Sequence, residues 1–361
     1  MKYGCIGEHL KHSFSKEIHN TLADYKYELY EVARDNLCEF LQERDFLAIN
    51  VTIPYKEAVI PHLYFIDEFA REIGAVNTVV NRNGKLYGYN TDFYGMSALF
   101  SHSGIDARGK KVVILGTGGT SKTACAVARS LGAREIIRVS RTKKESSIDY
   151  TELYERHTDA DIIVNTTPAG MFPNIFDAPV QIHRFPSLSG VIDAVYNPLR
   201  TPLISAARDR GIPAEGGLYM LVAQAVRASE IFIDTKYPAE TLDKTFLKIR
   251  GEKENIVLIG MPASGKSTVG RILAQKLGRR FVDTDELIVE KTGKAIPDIF
   301  AESGECEFRD IESGVIREVS ALTSTVISTG GGAILRQENI RALRENGRIY
   351  FIDRFLRAVC V

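Results

Sequence analysis

The sequence has 361 residues with 46 Lys+Arg against 46 Asp+Glu, so its formal net charge is zero and no bulk positive field is available to gather nucleic acid or an anionic membrane surface. Hydrophobic residues make up 44% and charged residues 25%, ordinary values for a globular chain, which exclude global disorder and fibrous repeats. At roughly 150 residues per domain, the length implies two or three domains.

Met1 to Leu10 lacks the apolar stretch of a signal peptide, and no later run approaches the ~18 apolar residues of a spanning helix, so the expected location is the cytoplasm. Tyr3–Gly7, Tyr27–Val32, Leu47–Val51 and Ala75–Val80 are short apolar runs alternating with helix-like patterns, which predicts an α/β first domain. Asn83-Gly84 between apolar stretches predicts a hairpin and therefore a mixed sheet edge. Three polar clusters here exceed what packing explains: His12-Ser13-Phe14-Ser15, Asn50 through Lys56, and Gly88-Tyr89-Asn90-Thr91-Asp92. Alternation puts Asn50 and Thr52 on one face of a strand end, with Lys56 just beyond it at an expected helix start. A cation there opposes the helix dipole, which points to a role other than helix stability.

From Lys110 the pattern restarts. Lys111–Leu115 predicts a strand, Gly116-Thr117-Gly118-Gly119-Thr120-Ser121 a turn opening a helix through about Leu131, and Glu135–Val139 a second strand. Further strands are expected at 161–165 and 190–195, giving a second α/β domain of dinucleotide-binding type. Glycines let the backbone approach a pyrophosphate, and the free N–H groups of the helix start attract its charge. Ser121 stands where the third glycine of that fingerprint would be, and is small enough for close helix packing. The competing reading is a plain strand-to-helix turn. The second strand leads into Ser140-Arg141-Thr142-Lys143-Lys144, whose cations and hydroxyl suit the 2′-phosphate of NADP, against the alternative of a solvated basic loop.

Leu218–Phe232 reads as one helix, apolar on most faces, able to return to the first domain. The polar stretch from Lys236 reads as a linker. The strand Ile256–Ile259 then opens a third region with Gly260-Met261-Pro262-Ala263-Ser264-Gly265-Lys266-Ser267, a complete G-x-x-x-x-G-K-[ST] loop. Its backbone N–H groups cradle phosphates, Lys266 reaches the terminal ones, and Ser267 ligates Mg²⁺. The five cysteines, Cys5, Cys38, Cys125, Cys306 and Cys360, form no C-x-x-C pair and have no His at ligand spacing, so they read as reduced and mostly packing.

Residues 1 to about 240 resemble the shikimate dehydrogenases. The motifs stand in that family's order: His12 to Ser15, Asn50 to Lys56, Gly74-Ala75-Val76-Asn77-Thr78, Asn90-Thr91-Asp92, the glycine turn, Asn165-Thr166-Thr167-Pro168-Ala169-Gly170-Met171, Asp193-Ala194-Val195-Tyr196-Asn197-Pro198, and Gly217-Leu218-Tyr219-Met220-Leu221 leading to Gln224. The resemblance implies that Ser13, Ser15, Thr52 and Tyr196 bind the carboxylate side of the substrate. By the same token Asn77, Asp92 and Gln224 bind ring hydroxyls, and Lys56 with Asp92 is the catalytic pair. NADP would be held by Gly116, Gly118, Gly119, Thr120, Ser121, Arg141, Thr142, Lys143, Thr166 and Met220. Two departures, Lys16 for the usual Pro and Ser140 for the usual Asn, lie beside the implied contacts. The chemistry agrees, because reducing a ring ketone needs a proton for the developing alkoxide as hydride arrives from nicotinamide.

Residues 255–361 resemble the shikimate kinases, through the phosphate loop, Asp283-Thr284-Asp285, Glu305-Cys306-Glu307-Phe308-Arg309 and Ser328-Thr329-Gly330-Gly331-Gly332. The resemblance implies ATP contacts at Gly260, Gly265, Lys266, Ser267 and Thr268, Mg²⁺ at Ser267 and Asp283, and substrate contacts at Asp285, Arg309, Gly331 and Gly332. Beyond Asp353 that family continues with an arginine-bearing lid, a second carboxylate-binding arginine and a further strand, so an incomplete and inactive kinase is expected.

The expected fold is α/β throughout: a substrate-binding α/β domain at 1–102 with a return helix at 218–235, a Rossmann-like NADP-binding domain at 103–217, a linker at 236–254, and a partial P-loop kinase domain at 255–361. The implied activity is NADP-dependent, reversible reduction of 3-dehydroshikimate to shikimate, on the route to chorismate and the aromatic amino acids. Two alternatives stand beside it: a bifunctional enzyme that also phosphorylates shikimate with ATP, and an NAD-linked quinate/shikimate dehydrogenase with a nucleotide-binding tail. The partners expected are small molecules, with no nucleic acid and no membrane.

Overall fold

The computed structural model describes residues 2–8, 10, 14–143 and 146–353. They divide into two compact units, one comprising Met1–Ala169, Ala178–Tyr196 and Leu203–Ile249, the other Gly170–Asp177, Asn197–Pro202 and Arg250–Val361.

The first unit begins with β1 (Tyr3–Gly7), α1 (Ser15–Leu22), β2 (Tyr27–Glu31), α2 (Leu37–Glu43), β3 (Ala48–Val51), β4 (Phe65–Ile66), α3 (Glu68–Ile73), β5 (Thr78–Arg82), β6 (Lys85–Tyr89) and α4 (Thr91–Ser103). The six strands form one mixed sheet in the order β2-β1-β3-β5-β6-β4. The expected hairpin joins β5 to β6 antiparallel, with Asn83 at φ 53° and Gly84 at φ 77°, the two left-handed positions that a tight I′ turn requires. Ile6, Ile49, Val51 and Val79 are buried against Leu41 and Val59 and form the core on one side.

The same unit continues with β7 (Lys111–Leu115), α5 (Gly119–Ser130), β8 (Glu135–Val139), α6 (Tyr150–Arg156), β9 (Ile162–Asn165), β10 (Gly190–Asp193), α7 (Pro202–Asp209) and β11 (Ala214–Glu215). All strands are parallel, in the order β11-β10-β9-β7-β8. The chain therefore leaves β7 in opposite directions toward β8 and β9, and the glycine turn after β7 sits at this switch point, where open α/β sheets bind ligands. Next, α8 (Leu218–Ile233) packs on α4, which it approaches so closely that a Cβ at Gly95 would lie 2.6 Å from the Met220 carbonyl oxygen.

The stretch expected as a linker is largely helical: α9 spans Thr241–Lys253 and buries Phe246 and Ile249. The Phe246 ring meets Tyr219 edge-on at 5.0 Å, and the Tyr219 hydroxyl donates to Asp243 at 2.8 Å. Leu242, Phe246 and Ile249 stand at i, i+4 and i+7, a helical spacing set among charged residues, and Phe246 meets the rings of Tyr219 and His102.

The second unit holds β12 (Asn255–Ile259), α10 (Lys266–Leu277), β13 (Arg280–Asp283), α11 (Thr284–Thr292), α12 (Ile296–Ser320), β14 (Thr325–Ser328), α13 (Gln337–Asn346) and β15 (Gly347–Phe351). Its described strands form a four-stranded parallel sheet, β13-β14-β12-β15, over a core of Val257, Ile288, Ile316 and Ile327. At Gly304, φ 79° and ψ 174° break α12, so Glu305 and Arg309 follow a kink. No helix among the described residues is long and apolar enough to cross a membrane. Of the cysteines, Cys5 is buried but Cys38 and Cys306 are exposed, which corrects the expectation that most of them pack; Cys360 lies outside the described residues.

Glu345, near the end of α13, buries its Oε2 without a hydrogen-bond partner among the described residues, and burial pushes its carboxyl up from 4.5 to about 8. A carboxyl raised on folding adds stability that is complete below its unfolded value and is lost as pH rises to the folded one. The melting temperature of this unit is therefore expected to fall between pH 4.5 and about 8, and Glu345→Gln to flatten that fall and raise the value at pH 8. Melts followed by circular dichroism across this range check it. A variant that melts with the wild-type pH slope would dismiss Glu345 as the cause.

Candidate functional site

The first unit gathers its candidate catalytic groups where β3 and β6 end and β5 and α4 begin. Lys56 Nζ donates to Asp92 Oδ2 at 2.5 Å, with the lysine side chain 20% and the aspartate 7% exposed. Asp92 lies in the first turn of α4, where the helix dipole favours an anion, and the Asn90 side chain caps that helix by accepting from Phe93 N. Lys56 does not start an α-helix as expected. Residues 53–59 are turns, so the dipole argument for its role falls away, and its placement is explained by the ion pair with Asp92.

Thr52 follows β3 and is half-buried, its N–H held by the Ile6 carbonyl at 3.0 Å. Ser15 opens α1, while Ser13 lies outside the described residues. Tyr196 packs its ring 5.2 Å from that of Phe14, and burial raises its hydroxyl pKa, so it remains a neutral hydrogen-bonding group. Gln224 on α8 buries its Oε1 with no partner among the described residues, which leaves an acceptor for a ligand hydroxyl. Asn77, at the start of β5, is buried and accepts hydrogen bonds from Thr78 and Thr91. Thr78 and Thr91 are absent from the site expected from sequence. Each adjoins a residue that was expected, but their burial and direction emerge only in three dimensions.

At the switch point Gly116 has φ 115°, and a Cβ there would lie 2.6 Å from Thr166 Oγ1, so only glycine lets this turn hug the end of β9. Gly118 and Gly119 are exposed at the start of α5, presenting free N–H groups, with Thr120 half-buried beside them. Ser121 is fully buried and donates to the Gly116 carbonyl at 2.7 Å, the close helix contact expected of it. Thr166 commits its hydroxyl to the Leu115 carbonyl at 2.6 Å, and Met220 is buried in the first turn of α8. Arg141, Thr142 and Lys143 are exposed beyond β8, and Lys143 pairs with Glu152 at 2.8 Å. The cradle, the bare helix start and the cationic loop fit a dinucleotide bearing a phosphate.

In the second unit Gly265, at φ 90°, precedes α10, and Lys266 folds back to donate to the carbonyls of Gly260 and Met261, both at 2.9 Å. Burial lowers the Lys266 pKa, an effect opposed by Asp285 and Asp283. Ser267 donates to Asp283 Oδ2 at 2.6 Å, and Asp283 Oδ1 accepts from the Asp285 N–H, capping α11. A hydroxyl beside a carboxylate is the hard-oxygen set that, with phosphate oxygens and waters, suits Mg²⁺. Thr268 is exposed on α10. Burial, reinforced by Asp283 and Glu312, pushes the Asp285 carboxyl up to about 6. Arg309 pairs with the buried Glu312 at 2.8 Å and with Glu305 at 3.3 Å, and its Nε has no partner among the described residues. Gly331 backs onto Pro262 and Gly332 onto the Arg309 guanidinium, both closer than a Cβ would permit.

Known proteins resemble the two parts separately. A family model of the shikimate dehydrogenase substrate binding domain matches residues 5–79, and one of shikimate kinase matches residues 262–361. The shikimate dehydrogenase (NADP(+)) of Clostridium beijerinckii is 40% identical over 245 residues, which is 64% of this chain and 91% of that protein. Shikimate dehydrogenase 1 of Peptoclostridium difficile, a solved structure, has a TM-score of 0.63 at 36% identity, covering 69% of this chain and 98% of that one. The Thermus thermophilus enzyme, solved with NADP(H) and shikimate, has a TM-score of 0.62 at 26% identity, covering 69% of this chain and 99% of that one.

Proposed function

Since the chain belongs to the shikimate dehydrogenase family, we propose that its Lys56–Asp92 pair moves the proton in the NADP-dependent, reversible reduction of 3-dehydroshikimate to shikimate. The observation that carries this reading is the 2.5 Å contact between two groups that are both largely withdrawn from water. Bound NADPH would supply the hydride to the carbonyl carbon, leaving as NADP⁺. Lys56 holds the proton at Nζ and delivers it to the developing alkoxide, while Asp92 fixes the ammonium and helps return the proton in the oxidation direction. Asn77 and Gln224 bind ring hydroxyls, and Ser13, Ser15, Thr52 and Tyr196 hold the carboxylate side. The dinucleotide rests on Gly116, Gly118, Gly119, Thr120 and Ser121, with Thr166 and Met220 beside it and its 2′-phosphate on Arg141, Thr142 and Lys143. On this reading residues 1–102 with the helix at 218–235 bind substrate, residues 103–217 bind NADP, and the enzyme works in the cytoplasm.

For the second unit the proposal is nucleoside triphosphate binding, with phosphates on Gly260, Gly265, Lys266, Ser267 and Thr268 and Mg²⁺ at Ser267 and Asp283. The arrangement of Asp285, Arg309, Gly331 and Gly332 favours a second reading, phosphorylation of shikimate. An arginine at the transferring group contributes on the order of 10³ to 10⁵ in rate in other nucleotide-hydrolysing enzymes. Arg309 is instead tied to Glu312 and Glu305, and Arg354 and Arg357 lie outside the described residues. One experiment tests both units: nicotinamide absorbance on mixing the protein with shikimate and NADP⁺ or NAD⁺, repeated with ATP and Mg²⁺ and an assay for shikimate 3-phosphate. Reduction of NADP⁺ in preference to NAD⁺, without phosphorylation at ~1 to 100 per second, is expected. Absence of any reduction would remove the dehydrogenase reading, and phosphorylation at that rate would establish the bifunctional one.

A further inference from the structure

Backbone groups dictate which way the Asn77 side chain points. The Thr91 N–H, which can only donate, lies 2.8 Å from one terminal atom of that side chain, and this identifies the atom as Oδ1. The hydroxyls of Thr91 and Thr78 lie 3.2 and 3.1 Å from the same oxygen. Asn50 is oriented just as firmly, because its Nδ2 lies 3.2 Å from the Asn77 carbonyl, which can only accept. That Nδ2 also donates to Thr78 Oγ1 at 3.1 Å, and the Tyr27 hydroxyl donates to Asn50 Oδ1 at 2.7 Å. With Asn50 donating to its oxygen, Thr78 is left to donate its one proton, either to Asn77 Oδ1 at 3.1 Å or to the Thr91 hydroxyl at 3.3 Å, which itself donates to Asn77 Oδ1. The donors therefore run one way, from Tyr27 through Asn50 and Thr78 to Asn77. Asn77 Nδ2, which has no partner among the described residues, remains as the free donor.

We infer that Thr78, fully buried on β5, is a positioning residue that, together with the Thr91 N–H, locks Asn77 so that it can only donate to the substrate. The inference rests on the reading that Asn77 binds a ring hydroxyl. It adds a specificity rule: the atom met by Asn77 must offer a lone pair, as a hydroxyl or carbonyl oxygen does. An ammonium there would set donor against donor and be rejected.

The test is KM for shikimate and kcat with NADP⁺ in the full-length chain, for Thr78→Val, Thr78→Ser, Asn77→Ala and the double variant Thr78→Val/Asn77→Ala. Asn77→Ala should raise KM about tenfold. Thr78→Val should raise it about fivefold, as expected for one hydrogen bond, with a smaller effect on kcat. Thr78→Ser, which keeps the hydroxyl, should stay within about twofold of the unmutated chain. On the Asn77→Ala background, Thr78→Val should add less than about twofold, because there is no longer an amide to orient. The same increment on both backgrounds would overturn the inference, since Thr78 would then be acting through packing alone. An unchanged KM in Asn77→Ala would instead remove the substrate assignment of Asn77, while a raised KM there with none in Thr78→Val would remove only the positioning role. Should Thr78→Val fail to fold, Thr78→Ala supports the same comparison.

Discussion

Lys56→Ala and Asp92→Ala are each expected to lower kcat by ~10² to 10⁴-fold, the usual worth of a positioned proton-transfer group, with little change in NADP⁺ affinity. Both side chains are mostly shielded from water and joined at 2.5 Å, so removing either strands the other: Asp92→Ala leaves an ammonium without its anion, and Lys56→Ala leaves a carboxylate with no proton to pass. The double variant should accordingly be little worse than the poorer single one, because the pair acts as one unit. Steady-state kinetics and cofactor titration together check this. Near-normal turnover in Lys56→Ala would withdraw the mechanistic assignment.

Arg141→Ala is expected to weaken NADP⁺ binding by ~1.5 to 3 kcal/mol, the range for a hydrogen bond to a charged group, while leaving NAD⁺ binding unchanged. The loss should fall selectively on NADP⁺ because only that dinucleotide brings a 2′-phosphate to the exposed loop after β8. Lys143→Ala should have the smaller effect, since its ammonium already pairs with Glu152 at 2.8 Å and its charge is partly spent. Calorimetric titration of both dinucleotides distinguishes these outcomes. Equal affinity of the unmutated protein for the two would contradict the phosphate role of the loop.

Local rules make much of the architecture legible in the order of residues alone. The runs Lys111–Leu115 and Ile256–Ile259 are buried parallel strands, recognisable as continuous apolar stretches, and each ends in a glycine turn whose backbone duty restricts its composition. Asn83-Gly84 announces its hairpin because few residues other than Gly, Asn and Asp accept two consecutive left-handed positions. Legibility fails where tertiary contacts decide. Lys56 sits in turns because Asp92, 36 residues away, holds it there, and no local helix signal bears on that. The helix α9 hides in a charged stretch whose apolar residues Leu242, Phe246 and Ile249 are outnumbered by polar ones, and Phe246 finds its partners on distant segments, at Tyr219 and His102. Thr78 resembles any strand threonine until Asn50 and Asn77 are seen on either side of its hydroxyl.

The placement of α8 shapes how the nascent chain must fold. Ala228 and Phe232 of that helix complete the core over Cys5, Tyr27 and Ala48, and its first turns pack on α4. Yet Leu218 is made 115 residues after Ser103, once the whole parallel sheet has been synthesised. At ~5 to 20 residues per second of translation, the N-terminal sheet waits on the order of 6 to 23 seconds with that apolar face uncovered. During that interval the uncovered apolar face is open to aggregation, and slower translation before residue 218 would lengthen that exposure.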